Sequence, residues 1–358
     1  MKKLLVFILI VILAAAGYGL FIYTVSGGFK SIAAAPANAC RKVAGIVWPE
    51  DITIDPRNGM ALITGMNRKP GMAGAIGPDF VYGYDMTQPD AKPVKLTVGF
   101  PMQPHGLSLF AAEGGGGTVM VVSHRHWLAG KSGEADAIEI FDYAGGTLTH
   151  RKTVADPRLT YANDVVAVAP DRFYVTIDHG YGSGIMRKIE DYGRVPWGYV
   201  LYYDGSSLKQ VADGIRYPNG ITISADGKML YVASTTQPAL IVYDRDPATA
   251  ALSNRRDIAL PSGADNLERD DKGRIWTGAH PQLLKTAAAL SKPGLTAPSE
   301  VLRIDPASGE VKSVYLDDGS QIGLSSGAAV WKDRLLIGSI GGDFFLDCTL
   351  KADGLSVK

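Results

Sequence analysis

Tyr217–Ser234 reads YPNGITISADGKMLYVAS, and the fold is decided there. Ile221 and Ile223, then Leu230 and Val232, alternate with small or polar residues, the period-two pattern of half-buried strands. Ala225-Asp226-Gly227 separates the two runs as a hairpin turn. Asn219-Gly220, usually a turn signal, lies instead at the mouth of the first strand, so the asparagine needs another explanation.

The same unit recurs along the chain. Glu50-Asp51 precedes ITID and MALITG; Pro104-His105-Gly106 precedes LSLF and TVMVVSH; Asn163-Asp164 precedes VVAV and RFYVTIDH. Asp265-Asn266 precedes LERD and RIWTGAH, and Ser325-Ser326-Gly327 precedes AAVW and RLLIGSI. With leading positions at 51, 105, 164, 219, 265 and 326, the intervals are 54, 59, 55, 46 and 61 residues. Repeats of about 40–50 residues built from short strands are the mark of propeller blades, with insertions lengthening the interval. The expected fold is all-β, a six-bladed β-propeller; six unrelated hairpins in a sandwich are the alternative.

At the N-terminus, Lys2-Lys3 precede an uncharged, mostly apolar run of 22 residues, Leu4 to Val25. As a helix it is about 33 Å long and matches a bilayer core. We expect residues 1–25 to be an uncleaved membrane anchor with the later chain outside the cytoplasm. Secretion after cleavage at Ala37-Asn38-Ala39 is the alternative. Residues 26–39, rich in Gly, Ser, Ala and Pro, are expected to be a flexible linker, 40–350 the propeller and 351–358 a tail. With 36 acidic and 36 basic residues and no basic block, nothing recommends a nucleic-acid partner. Cys40 and Cys348 bracket the repeats. In a closed ring the first and last strands share a blade, so a disulfide is expected in an exported domain, against two buried thiols.

The openings of the repeats supply Glu50, Asp51, His105, Asn163, Asp164, Asn219, Asp265 and Asn266. Inner strands of a propeller line a central channel, so these residues converge at one mouth. Four carboxylates and three amides without a thiolate suit Ca²⁺, and that many converging carboxylates repel one another unless a cation neutralises them. His124, His179 and His280 end second strands, and with His105 they point to a site, whereas His126 and His150 read as loop and surface residues. There is no G-x-S-x-G elbow, so no serine nucleophile is expected.

PEDI, PHGLS, VVSH, ANDVVAV, IDHGY, PNGITIS, DNL, GAHP, SEVLRI and LLIGS, in that order and between the two cysteines, resemble the paraoxonase/arylesterase family over about residues 38–350. The resemblance implies a calcium-dependent hydrolase of lactones and aryl or carboxylic esters. It implies a catalytic calcium on Glu50, Asn163, Asn219, Asp265 and Asn266, and a structural calcium on Asp51, Asp164 and the Leu107 carbonyl. It further implies a His105–His124 proton-transfer dyad and a pocket lined by Asp178, His179 and His280. Ala279 stands where the family carries a free cysteine, and the segment from Gly180 to Gly198 departs from the family's flap, so substrate preference does not carry over. The competing readings are a sugar-lactone hydrolase or strictosidine-synthase-like enzyme, and a non-catalytic binding propeller that calcium rigidifies.

Overall fold

The computed structural model describes residues 2–35, 40–66, 79–128, 131, 133–292 and 294–351. The apolar run forms one helix, α1 (Lys2–Val25), long and apolar enough to cross a membrane. After β1 (Cys40–Ala44), four-stranded sheets follow in chain order. Blade one is β2 (Pro49–Asp55), β3 (Met60–Gly65), β4 (Val81–Asp85) and β5 (Val94–Lys95). Blade two is β6 (Pro104–Ala111), β7 (Gly117–Ser123), β8 (Ala137–Ala144) and β9 (Thr147–Ala155). Blade three is β10 (Ala162–Ala169), β11 (Arg172–Ile177), β12 (Gly198–Tyr203) and β13 (Leu208–Ile215), with helix α2 (Gly184–Gly193) inserted after β11.

Blade four is β14 (Pro218–Ile223), β15 (Met229–Ser234), β16 (Ala239–Arg245) and β17 (Leu252–Ala259). Blade five is β18 (Gly263–Arg269), β19 (Ile275–His280), β20 (Ser299–Asp305) and β21 (Glu310–Asp317), with α3 (Leu283–Ser291) after β19. The last blade is β22 (Ser325–Trp331), β23 (Arg334–Ser339) and β24 (Phe344–Thr349), completed by β1 from the other end of the chain. The six-bladed propeller is therefore the fold, and Cys40, opposite Cys348 in the β1–β24 ladder, forms the disulfide that closes it.

Six apolar clusters each straddle one blade boundary; Met120 and Ile140 of blade two, for example, pack with Phe173 and Leu201 of blade three. Each sheet thus has both faces covered, which favours continuous apolar runs such as Leu230–Ala233 over strict alternation. The closing blade is also held by charge. The buried carboxylate of Asp347 accepts from Arg41 of β1, Arg334 of β23 and the Tyr84 hydroxyl of β4.

Residues 26–35, read from composition as a flexible linker, are hydrogen-bonded to blade five and its flanking loops. Lys30 Nζ donates to the Pro261 carbonyl and Ser262 Oγ at 2.6 and 2.9 Å. Gln282 donates to the Lys30 carbonyl at 2.7 Å, and Ala35 donates to Asp317 Oδ1 at 2.8 Å. Small residues let this segment lie close to the domain and leave its backbone free to bond. Ala37-Asn38-Ala39 and all but Lys351 of the tail lie outside the described residues.

Candidate active site

In all six blades the pairing of the first two strands slips at the same place. Pro49 faces Gly65 while Ile52 faces Ile63, and equivalent slips fall between Pro104 and Leu107, Ala162 and Val165, Pro218 and Ile221, Ala264 and Leu267, and Ser325 and Ala328. One extra residue on the inner strand is a β-bulge, a device that re-aims side chains. The residues inside the bulges are Glu50-Asp51, His105-Gly106, Asn163-Asp164, Asn219-Gly220, Asp265-Asn266 and Ser326-Gly327. Amides that the ladder leaves unused find side chains: Asp51, Asp164 and Asp265 donate their N–H to Thr64, Thr176 and Thr277 at 3.0, 3.0 and 3.2 Å. Trp48, Tyr161, Tyr217 and Leu324, each just before an inner strand, have positive φ, a strain of about 1 kcal/mol or more apiece gathered at the mouth.

The bulges bring oxygens together. Asn266 Nδ2 donates to Glu50 Oε1 at 2.8 Å, which turns its Oδ1 away, and Asn163 Nδ2 lies 3.4 Å from Asp178 Oδ2. Four buried oxygens, Glu50 Oε2, Asn163 Oδ1, Asn219 Oδ1 and Asn266 Oδ1, have no hydrogen-bond partner among the described residues. Each costs about 1–3 kcal/mol if left so. Together with Asp265 these hard donors fit a Ca²⁺ ion, which takes 6–8 oxygens in flexible geometry.

Asp51 and Asp164 are buried and take a different role in the geometry. Asp51 accepts the N–H groups of Ile52 and of Leu107 in the next blade, both at 2.8 Å, and Asp164 accepts those of Val165 and Ile221 at 2.7 and 2.8 Å. Each carboxylate therefore ties two blades. Burial pushes both carboxyls well above their ordinary range; Asp164 and Glu50 add to the shift at Asp51, and Glu50 and Glu268 add at Asp164. A cation beside them would remove that cost. Glu268, two residues beyond Asn266 on β18 and missed in the sequence, is pushed by burial up to about 7.

Four ionisable groups form a row. His105 Nε2 lies 3.3 Å from Glu50 Oε1, His105 Nδ1 lies 2.9 Å from His124 Nε2, and His124 Nδ1 lies 3.1 Å from Asp136 Oδ2. Burial draws His105 down, but Glu50 and then the more distant Asp265 and Asp178 outweigh it and lift the imidazole to about 9. Burial pushes His124 below its ordinary value in spite of Asp136. Asp136, unmarked by any motif, is placed by register: Ser123 pairs with Ala137, so His124 and Asp136 are the next residues outward on adjacent strands. His126, read from sequence as a loop residue, belongs to this cluster, with Nδ1 3.0 Å from Asp136 Oδ1. The 3-10 turn Arg125–Trp127 folds it back over the strand end. His150 sits on the outer strand β9, stacked on Phe100 and bonded to Glu139, away from the mouth.

Of the other residues singled out, His280 Nε2 lies 2.8 Å from Asp265 Oδ2. His179 lies between Asp178 and Asp191 of α2, at 2.5 and 3.0 Å; burial opposes its charge, yet the two carboxylates raise it to about 9. α2 is thereby fastened beside the mouth, with Glu190 also accepting the Gly180 N–H at 2.9 Å.

Fold and site define a six-bladed propeller whose channel mouth gathers buried oxygens beside a pair of histidines. Residues 31–350 match the Arylesterase family, and the chain belongs to it. Among relatives, serum paraoxonase/arylesterase 2 of Gallus gallus is 34% identical over 316 residues, 84% of this chain and 86% of that protein. Serum paraoxonase/lactonase 3 of Oryctolagus cuniculus is 32% identical over 305 residues, 81% and 83% of the two chains. A gluconolactonase of Xanthomonas campestris, at 17% identity, shares the fold with a TM-score of 0.56 over 90% of this chain and 98% of its own. This chain is a hydrolase of the paraoxonase/arylesterase family, and its apolar helix and disulfide fit an anchored or secreted protein.

Proposed function

We propose that this chain hydrolyses lactones and aryl or carboxylic esters at the channel mouth and depends on calcium. The observation that carries the reading is the group of four unpartnered buried oxygens beside His105. Glu50, Asn163, Asn219, Asp265 and Asn266 would hold one ion, and Asp51, Asp164 and the Leu107 carbonyl a second that locks the blades. Calcium bound at the first set supplies an electrophile that polarises a carbonyl oxygen and steadies the negative charge it gathers.

The chain's own residues do the rest. His105, its side chain 14% exposed, is within reach of the channel and takes a proton from the attacking water. With a cation on Glu50 the raising influence on His105 is removed, and the imidazole returns toward the neutral form a base requires. His124 receives a proton from His105 Nδ1 through its own Nε2, and Asp136 steadies the charge. Asp178, His179 and His280 line the pocket, with α2 shaping one wall. We further propose that α1 anchors the protein with the propeller outside the cytoplasm, since Lys2-Lys3 favour the cytoplasmic side.

A panel of lactones, aryl esters and phosphotriesters, assayed with chelator and with calcium restored, tests this. Lactone and ester turnover should vanish on chelation and return with calcium, and should exceed phosphotriester turnover because a trigonal carbonyl needs one metal contact and one water. Turnover indifferent to chelation, or phosphotriesters faster than every lactone, would overturn it.

A further inference from the structure

Behind the dyad lies a donor set of another chemistry. His124, His126 and Asp136 each offer one ligand atom, a ring nitrogen or a carboxylate oxygen, and these atoms all fall within 4.8 Å of one another. His124 and Asp136 are 6% and 1% exposed. Although His124 Nδ1 is 3.1 Å from Asp136 Oδ2, it lies off the line a hydrogen bond needs, and this buried nitrogen has no hydrogen-bond partner. A buried ring nitrogen without a hydrogen-bond partner, set beside a second imidazole and a carboxylate, is the kind of group a metal can engage once its proton is displaced. We propose that His124, His126 and Asp136 form a binding site for a borderline divalent cation of the zinc class, separate from the oxygen-lined mouth, and that filling it disables the His105–His124 pair.

Chemistry selects the ion. Two imidazoles and one carboxylate supply too few oxygens for Ca²⁺ and suit Zn²⁺ or Co²⁺. Tetrahedral zinc with bonds of about 2.0–2.2 Å sets ligand atoms roughly 3.2–3.6 Å apart. His126 Nδ1 lies 3.0 Å from Asp136 Oδ1 and His124 Nδ1 3.1 Å from Oδ2, so each imidazole meets its own oxygen of one carboxylate, and ligand atoms within 4.8 Å of one another reach the zinc spacing by side-chain adjustment. Three protein ligands with a fourth position for water is a common zinc arrangement.

The surroundings hold the ligands ready. Asp136 Oδ2 also accepts the Ala162 N–H at 3.1 Å, and the backbone N–H groups of His124 and Asp136 are bonded to the Gln103 and Leu159 carbonyls at 2.9 Å each. The His126 side chain is 30% exposed, which gives the ion an entry.

A metal on His124 Nδ1 fixes that ring's proton on Nε2, where it can be donated only to His105 Nδ1. His124 then no longer accepts a proton from His105. This inhibitory consequence rests on the function proposed above; the binding does not.

The test uses the untagged full-length protein in detergent with calcium in excess. Zn²⁺ bound per chain is measured by equilibrium dialysis and mass spectrometry, and Co²⁺ by its visible absorption. One site should fill with a tetrahedral cobalt spectrum, and His126→Ala and Asp136→Asn should each weaken it by about 10-fold or more. His126→Gln serves as the second, volume-retaining variant, with circular dichroism melts verifying the fold. Ester turnover of the parent should fall as the site fills, whereas His126→Ala, read against its own zinc-free rate, should resist the inhibition. No saturable site, or the same stoichiometry and spectrum in all three variants, overturns the proposal. Site-specific binding in a protein that turns over no ester or lactone would leave the site standing and sink the proposed function instead.

Discussion

The approach of neighbouring bulges is close enough to be tested by one methyl group. A Cβ added at Gly220 would lie 2.5 Å from the Asp265 carbonyl oxygen, 2.5 Å from Leu267 N and 2.7 Å from the Asn266 carbonyl carbon. All three are backbone atoms of the next blade's bulge, so no flexible side chain can swing away. Ordinary contact begins near 3.5 Å, and blades four and five must part by about 1 Å. Overpacking of this kind costs about 1–3 kcal/mol, a melting shift of roughly 2–5 °C in a domain of this size. The same movement separates Asn219 from Asp265 and Asn266, and a misplacement of about 1 Å is worth about 10²-fold in turnover. Gly327 is the internal control: its added Cβ would meet the Glu50 carbonyl at 3.1 Å, a gap that closes with a few tenths of an ångström of give. Calorimetric melts and ester turnover of Gly220→Ala and Gly327→Ala, in calcium and after chelation, decide the matter. If Gly220→Ala keeps both, or Gly327→Ala is equally damaged, the blades do not pack as argued.

His105→Gln should lower turnover by about 10² to 10⁴ while calcium-dependent melting is retained, measured by steady-state kinetics and calorimetry; near-parent activity would make His105 a pocket residue and move the base elsewhere. Asp347→Asn tests the blade closure. Burial raises the Asp347 carboxyl, but Arg334, Tyr84 and Arg41 outweigh it and hold it below the ordinary range. A depressed folded value gives stability that is present above the unfolded value, near 4, and is lost as pH falls through the folded one. The substitution should therefore cost about 2–4 kcal/mol in urea unfolding at pH 7, discounted for the partly exposed Arg41, and progressively less below about pH 4. An equal cost at pH 7 and pH 3 would show that the charge is not what matters.

Much of the site was legible because the repeat is. Once six openings align, Glu50, Asn163, Asn219 and Asp265 are equivalent positions, and a circular fold must bring equivalent positions to one rim. Asn219-Gly220 shows why the local reading fell short: the glycine serves the approach of the next blade, not a turn. Asp136 and His126 escaped notice for a related reason. Neither sits at a repeated position, and only the Ser123–Ala137 register and the 3-10 turn after it set them against His124. Glu268 looked like an ordinary charge within LERD because its hydrogen-bond partner, the Thr53 hydroxyl, comes from another blade.

From sequence alone the chain fixes its hairpins, their number, the closing disulfide between Cys40 and Cys348 and the apolar helix at its start, since these depend on local alternation, turns and spacing. What only the tertiary structure decided is direction. A bulge in each inner strand reverses the alternation that a regular strand would impose, so which oxygens point inward depends on pairing with a neighbour. Likewise the packing of residues 26–35 on blade five and the meeting of His126 with Asp136 come from contacts between segments, and periodicity along one segment carries no record of them.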